Sequence, residues 1–192
     1  MTARSRREGA IGIPLSAQQR GEWQDRLSKM AILEHLGVRL DLSGDDAVRL
    51  VLERCTPAHV GGLGTERLNG AMIAGMVDCA MSIAGILQFG GRTSGTMQLS
   101  IQFMKPVKCK QVTVECRVVR RTTAVAFVEA RLIEADGRCA VMATGMVGVA
   151  RVANRQGSGD GTQNWASPAG MSRTSPDVSG EDSPQLAMEG AM

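Results

Sequence analysis

The chain has 192 residues, a length that predicts one folded domain with short tails. Its hydrophobic content of 43% and charged content of 21% are typical of soluble globular proteins. Only 3% of the residues are aromatic, which argues against a protein that stacks single-stranded nucleic acid on aromatic rings. The net charge of +3 is compatible with an anionic ligand but does not require one.

The cysteines and the N-terminal residues indicate the compartment. The five cysteines form no CxxC pair and are odd in number, so we expect buried free thiols in a reducing cytosol rather than a zinc site or a disulfide framework. Residues 1–14 are basic but lack the apolar region of a secretory signal. We therefore predict a flexible N-terminus over residues 1–14 and a cytoplasmic protein.

A helix and two strands are predicted first along the chain. Helical spacing is followed by Trp23, Leu27, Met30 and Leu33. The pattern lies between Ser16, a good N-cap residue, and Gly37, a helix-ending residue. Alternating apolar residues in "VRLDL" and "AVRLVLE", separated by "SGDD", predict a strand, a tight turn and a second strand.

The stretch "NGAMIAGMVDCAMSIAGIL" predicts one long helix that begins after the N-cap Asn69 and ends before Gly90 and Gly91. It carries a single ionisable acid, Asp78. Its length approaches that of a membrane span, but the acid and the several glycines favour a buried helix of a soluble protein. A helix that is apolar on almost every side has to be covered by other elements.

Four strand patterns follow: "TMQLSIQFMKP", "QVTVECRVV", "TAVAFVEARLIE" and "CAVMATGMVGVA", the last two joined by the turn "ADGR". In the first pattern we expect Met97, Leu99, Ile101 and Phe103 to share one face. Strands grouped in this way predict an antiparallel α+β fold, with a curved sheet wrapped around the long helix.

The C-terminal residues differ in composition from the body. From about residue 153 the chain is rich in Gly, Ser, Pro and Asp and has almost no periodic apolar residues. Such a segment cannot bury enough apolar surface to offset the entropy lost on ordering it. We therefore predict one domain over residues 15–152 and a disordered tail over residues 153–192.

The order of elements resembles the hotdog-fold acyl-CoA thioesterases, in particular the group typified by the phenylacetate-pathway thioesterase. The resemblance rests on "NGAMIAGMVDCAMSIAG" in the central helix and "GTMQLSIQFMKPV" in the following strand, and it covers roughly residues 30–150. It implies a hotdog fold, an acyl-CoA substrate and a homodimer or homotetramer. It also implies no metal and no cofactor beyond the coenzyme A of the substrate, and no nucleic-acid or membrane partner.

Two departures from the family pattern concern the start of the central helix. The family usually has a His there, where this chain has Asn69, and an Asn in the preceding loop, where this chain reads "HVGGLGTERLNG". In the family the loop Asn helps to hold the attacking water. Asn69 or Thr65 is the candidate to replace it in this chain.

The resemblance and the needs of thioester hydrolysis assign catalytic roles. The Gly70 N–H would polarise the thioester carbonyl, with Ala71 assisting, because the first N–H groups of a helix have no partner within it. Asp78 would act as general base or as nucleophile, and both remain open. Thr96 would orient the water or the carboxylate. Asp78 lies about 13 Å along the helix from its start, so it can act only at Gly70 of another subunit.

The substrate-binding candidates lie in two places. Ala71 and Met72, in the Met-rich central helix, would form part of an adaptable acyl pocket. Arg120 and Arg121, with Lys105, Lys108 and Lys110, would contact the phosphates of coenzyme A, although solubility is the more common reason for surface cations.

Other interpretations stay open at this stage. Asp78 can be a structural acid that is hydrogen-bonded or paired with an arginine, and Gly70 can be a packing glycine. The protein can also be a non-catalytic acyl-CoA-binding or regulatory hotdog module, which the departure at Asn69 favours. A dehydratase-like relative is disfavoured because His59 is expected to be a loop or capping residue.

Overall fold

The computed structural model describes residues 10–61 and 66–150. Six antiparallel strands form one sheet in the order β1-β2-β4-β5-β6-β3, and the long helix α3 packs against β2 to β6. This confirms the predicted α+β fold, a sheet wrapped around one long helix. The elements are α1 Ala17–Leu27, α2 Ala31–His35, β1 Arg39–Asp41, β2 Val48–Leu52, a short 3-10 helix Pro57–His59, α3 Gly70–Gln88, β3 Ser94–Phe103, β4 Val112–Arg121, β5 Val125–Glu134 and β6 Cys139–Val149.

The N-terminal helical segment is divided in two, so the prediction of a single helix was wrong. Ser16 caps α1 with a capping box, as its sequence suggested. The backbone of Met30 is extended, with ψ at 124°, and it starts α2 afresh. Both short helices bury apolar side chains, among them Trp23 and Leu33. Trp23 packs on Gly91, where φ is +85° and a Cβ would lie 2.6 Å from the ring, so glycine is required there.

Residues 10–14 lie against the sheet and the end of α3. The Ile11 N–H donates to the Val118 carbonyl (2.7 Å), and the Gln88 side-chain amide donates to the Gly12 carbonyl (2.9 Å). These contacts attach the described end of the predicted N-terminal tail to the domain. Residues 151–192 lie outside the described residues, so the domain boundaries and the C-terminal tail stay predictions.

Helix α3 is the core of the fold. Among the described residues it is the one helix long and apolar enough to cross a membrane, but the core helix of a soluble protein has the same properties. Here strands cover most of its surface, and small residues allow them to approach closely. A Cβ on Gly85 would lie 2.7 Å from Ser94 Oγ and would collide with Val147. The helix ends at Phe89 and the left-handed Gly90.

Strand β3 contains a β-bulge that the alternating pattern did not predict. The register against β6 shifts between Thr96 and Gln98. Thr96 therefore lies on the helix-facing side of the sheet together with Leu99, which pairs with the buried part of β6. Met97 lies on the opposite face, where it is 64% exposed and close to Gly148. The prediction that Met97 faces the same way as Leu99 was wrong for this reason.

Strand β2 is buried along its whole length, which its alternating pattern did not predict. The side chain of Arg49 is only 5% exposed, because it pairs with Asp46 (2.8 Å) and with Glu115 on β4 (3.0 Å). Arg117 completes the set by pairing with Asp46 at 2.8 Å. We call Asp46, Arg49, Glu115 and Arg117 the closed charge network, since every member has an opposite charge as partner.

The structure contains one disulfide among the described residues, which corrects the expectation of free thiols throughout. Cys55 and Cys109 are bonded, while Cys79, Cys116 and Cys139 are free. The two bonded residues are 54 apart in sequence. They meet because β2 and β4 pair antiparallel with Leu52 opposite Val112, so that Cys55, after the end of β2, lies opposite Cys109, before the start of β4.

Candidate active site

The start of α3 presents a backbone donor at Gly70. The Asn69 Oδ1 accepts from the Ala71 N–H (2.8 Å), so the N-cap engages Ala71 and leaves it no free N–H with which to assist. Among the described residues the Gly70 N–H has no acceptor. The structure therefore leaves Gly70 as the available donor of the pair, with the positive end of the helix dipole behind it.

Packing within the described chain does not require glycine at position 70. A Cβ there would have its nearest neighbour, the ring of Phe103, at 3.6 Å, an ordinary contact distance. This contrasts with Gly85 and Gly91, where a Cβ would collide. The interpretation of Gly70 as a packing glycine therefore finds no support inside one copy of the chain. The contact also places the end of β3 beside the start of α3.

Asp78 lies on the least buried stripe of α3. This stripe has helical spacing and includes Ala71, Gly75, Asp78, Ser82 and Ile86, all of which are partly or fully exposed. Asp78 makes no hydrogen bond or ion pair with any other described residue, and its charge acts on the adjacent Cys79 thiol. A structural acid would be expected to have such a partner, because a half-buried carboxylate is costly without one.

The thiol next to Asp78 is not suited to nucleophilic work. Burial, and after it the nearby Asp78 charge, raises the pKa of Cys79 to about 11. Cys79 therefore stays protonated at neutral pH, and only the thiolate is strongly nucleophilic. Of the two neighbours, Asp78 is the group that can take up a proton or attack a carbonyl.

Two hydroxyls lie one helical turn beyond Asp78. The Ser82 and Thr96 hydroxyls are hydrogen-bonded at 3.3 Å, and the Ser94 hydroxyl donates to the Ser82 carbonyl (3.3 Å). The β-bulge brings Thr96 to this side of the sheet. Thr96 thus contacts the stripe of Asp78, as expected, but through Ser82. The sequence analysis had no role for Ser82, although its spacing of four from Asp78 was a usable signal.

The two arginines proposed for coenzyme A lie at the other end of α3 from Gly70. Arg121 donates to the Gln88 carbonyl (2.7 Å) and so caps the C-terminus of the helix. Arg120 is exposed and has no partner among the described residues. Met72 is half-buried in the first turns of α3. The structure therefore brings Gly70 and Met72 together but does not bring Arg121 to them within one chain.

The remaining polar candidates are accounted for locally. His59 is buried, and its Nδ1 accepts from the Thr56 N–H (3.1 Å), which is the capping role expected from the sequence. Thr65 lies outside the described residues. In residues 10–61 and 66–150 no group of three or more His, Cys, Asp or Glu side chains is placed to hold a metal ion.

Comparisons with known proteins support this assignment of the fold. Residues 66–141 match the family model described as "Thioesterase superfamily". None of the curated proteins matches the sequence significantly. The structure is similar to several solved hotdog proteins, all at low sequence identity.

Three of these solved structures have TM-scores between 0.56 and 0.61. The PaaI protein from the phenylacetic acid degradation operon of Escherichia coli has a TM-score of 0.61 at 13% identity, covering 70% of this chain and 96% of the other. A thioesterase from Haemophilus influenzae has a TM-score of 0.61 at 14% identity, covering 74% and 96%. A phenylacetic acid degradation-related protein from Ralstonia eutropha has a TM-score of 0.56 at 20% identity, covering 62% and 90%.

The structural likenesses establish the fold, and the family match adds the general chemistry. The matched residues contain α3 with Asp78 and most of the sheet that covers it. The family match supports cleavage of thioesters as the general activity. The chain has the hotdog fold, and residues 66–141 match the thioesterase superfamily.

Proposed function

We propose that the protein is an acyl-CoA thioesterase whose active site forms between two copies of the chain. Asp78 of one copy and the Gly70 N–H of the other act on the same thioester. The observation that carries this proposal is the half-buried Asp78 without a partner, on the stripe of α3 that also bears the Ser82–Thr96 hydroxyl pair.

The exposed edge of β3 supports assembly through this strand. β3 pairs with β6 on one side only and ends the sheet. Phe103 and Met104, at its C-terminal end, are 54% and 50% exposed. A long edge strand with exposed apolar side chains is a template for pairing with another strand. A symmetric dimer with two β3 strands side by side would cover it.

Such pairing would also assemble the site. In an antiparallel β3–β3 pair centred on the middle of the strand, Phe103 of one copy lies near Thr96 of the other. Phe103 borders Gly70, and Thr96 is bonded to Ser82, one turn from Asp78. The same arrangement therefore brings Gly70 of each copy toward Asp78 of its partner. One helix alone cannot do this, since the two residues are more than two turns apart.

The proposed chemistry follows from these positions. As general base, Asp78 takes a proton from water while the water oxygen attacks the thioester carbonyl carbon. The negative charge that develops on the carbonyl oxygen is stabilised by the Gly70 N–H. The C–S bond then breaks, and the thiolate of coenzyme A leaves and is protonated. As nucleophile, Asp78 would form a mixed anhydride that water hydrolyses, and both routes remain part of the proposal.

The acyl group would lie near the start of α3. The Phe103 ring beside Gly70 and the half-buried Met72 offer apolar and adaptable surface there. We do not assign Arg121 to the substrate, because its guanidinium caps the α3 C-terminus. No metal and no cofactor beyond the coenzyme A of the substrate enters the proposed reaction, and a cytoplasmic location belongs to the same proposal.

A non-catalytic acyl-CoA-binding module is the second candidate function. The observation that favours it is the engagement of the Asn69 Oδ1 by the helix cap, which removes that oxygen from the task of holding water. In this case the fold would still bind the acyl-CoA, but Asp78 would not turn it over.

The test is release of free thiol from acetyl-, hexanoyl-, palmitoyl-, phenylacetyl- and benzoyl-CoA. We expect Asp78→Asn to lower kcat by about 10²–10⁴-fold, the usual contribution of a general base. The matched control is Asp25→Asn on α1, an exposed acid that should leave the rate unchanged. Undiminished turnover by Asp78→Asn would refute the proposal. If no thioester is cleaved but acyl-CoA raises the Tm, the binding module is the better description.

A further inference from the structure

Three basic side chains surround a cavity where the chain enters α3. The cavity has a volume of about 480 Å³ and is lined by Glu66, Arg67, Lys108, Cys109 and Lys110. We call these five residues the basic cavity. Two backbone segments form its wall, since Arg67 pairs with Lys108 in a β-bridge and the Leu68 N–H donates to the Val107 carbonyl (2.9 Å).

The cations of the basic cavity differ from the others in the same region of the fold. Among the described residues, the side chains of Arg67, Lys108 and Lys110 form no ion pair. Lys105, only three residues before Lys108, is paired with Glu134 at 2.5 Å. Three unpaired cations beside a single carboxylate, Glu66, repel one another. Their free energy falls when an anion binds between them.

The basic cavity is covalently anchored and adjoins the proposed oxyanion donor. Cys109 in its wall is bonded to Cys55, which ties the segment to the chain that precedes the short 3-10 helix. Arg67 precedes Gly70 by three residues, so the cavity and the α3 N-terminus lie next to each other along the chain. The positive end of the helix dipole adds to the attraction for an anion.

We propose that the basic cavity binds phosphate groups of the coenzyme A part of the substrate while the thioester lies at Gly70. This inference rests on the proposed function and specifies its substrate class. Coenzyme A carries its phosphates on a flexible arm away from the thioester, and lysine and arginine are the side chains that bind phosphate. The basic cavity, beside the α3 N-terminus, replaces Arg121 at the opposite end of the helix in this role.

The experiment compares two thioesters of the same acid, acyl-CoA and acyl-pantetheine, of which the second has no phosphate. In the double variant Lys108→Gln, Lys110→Gln we expect KM for acyl-CoA to rise roughly tenfold, as for the loss of two partly exposed ion pairs. The kcat for acyl-CoA and both constants for acyl-pantetheine should not change. Added salt should raise the wild-type KM for acyl-CoA and have little effect in the variant.

The matched control is Lys29→Gln, which removes an exposed lysine in the turn between α1 and α2. An unchanged KM in the double variant, or equal losses on both thioesters, would overturn the inference. If the wild type cleaves neither thioester, the proposed function fails. The effects of coenzyme A and of pantetheine on the Tm are then compared instead. Stabilisation by coenzyme A but not by pantetheine, lost in the double variant, would still support the basic cavity. Equal effects of the two ligands would overturn it.

Discussion

The closed charge network and Asp78 show two ways in which a fold can hold a charged side chain below its surface. In the network each charge has an opposite partner, with distances of 2.8 Å from Asp46 to both Arg49 and Arg117. Asp78 is half-buried on α3 and has no such partner among the described residues. The first arrangement stabilises one chain, whereas under the proposed function the second acts on a substrate together with another copy. If the proposal holds, the difference separates a structural from a functional set of charges.

Removing Arg49 should have the largest effect on stability. Among the described residues, Arg49→Met leaves Asp46 with one cation, Arg117, in place of two, and removes one ion pair of Glu115. Loss of one member of a buried ion-pair set typically costs about 3–5 kcal/mol. We expect urea unfolding to show a loss of this size. Activity per folded molecule should stay near that of the wild type.

The opposite behaviour is expected of Asp78→Asn, which should lose activity and keep its stability. The comparison between the two sites would break if Asp78→Asn unfolded as readily as Arg49→Met. It would also break if Arg49→Met lost turnover in its folded fraction.

The closed charge network should also make stability depend on pH. Burial raises the pKa of Asp46, but the hydrogen bond from Arg49 and the charges of Arg49 and Arg117 outweigh it and hold the pKa below its usual value. Because the folded-state pKa is the lower one, this stabilisation is fully present above the unfolded-state pKa of about 3.9. It is lost as the pH falls through the folded-state pKa.

The measurement is the urea midpoint between pH 7 and pH 3. Wild type should lose stability in the acid part of this range, and Asp46→Asn should be less stable at neutral pH but lose less on acidification. If Asp46→Asn loses stability as steeply as the wild type when the pH falls, other carboxylates cause most of the pH dependence.

A smaller effect is expected at Ser82. Its hydroxyl bonds Thr96 (3.3 Å), and so positions it one turn from Asp78. One hydrogen bond of this kind is worth about 1 kcal/mol, so Ser82→Ala should lower kcat about fivefold with little change in KM. Ser100→Ala, in the same strand as Thr96 but paired with β6 on the other side of the bulge, is the control. If Ser82→Ala lowers kcat more than Thr96→Val does, Ser82 itself contacts the reacting groups.

The sequence predicted the parts of this site that depend on local rules. Asn69 as N-cap, the long apolar α3 and the exceptional acid Asp78 follow from capping, composition and periodicity. The sheet and its grouping around one helix follow from the order of the strand patterns. Each of these features is determined by residues that are close to one another in the sequence.

The features that the sequence did not predict depend on contacts between distant residues. The bulge at Thr96 is fixed by pairing with β6, and the burial of Arg49 by Glu115 on another strand. The Cys55–Cys109 bond joins segments 54 residues apart. The contact of Arg121 with the Gln88 carbonyl joins residues 33 apart in sequence, and the assignment of Arg121 to a ligand stays a prediction.

The proposed active site combines Gly70 of one copy with Asp78 of another. The measurement is complementation between two inactive variants, Asp78→Asn and Gly70→Pro, expressed together. Proline removes the N–H, is well tolerated at the first position of a helix and suits the extended backbone of Asn69 before it, with ψ at 135°.

Each variant alone should be folded and inactive. In a mixed dimer one of the two sites would contain both native groups, so random assembly should restore about a quarter of the wild-type rate. Recovery of this size would support a site shared between copies. If mixed dimers form but remain as inactive as the separate variants, the active site is not shared between two copies.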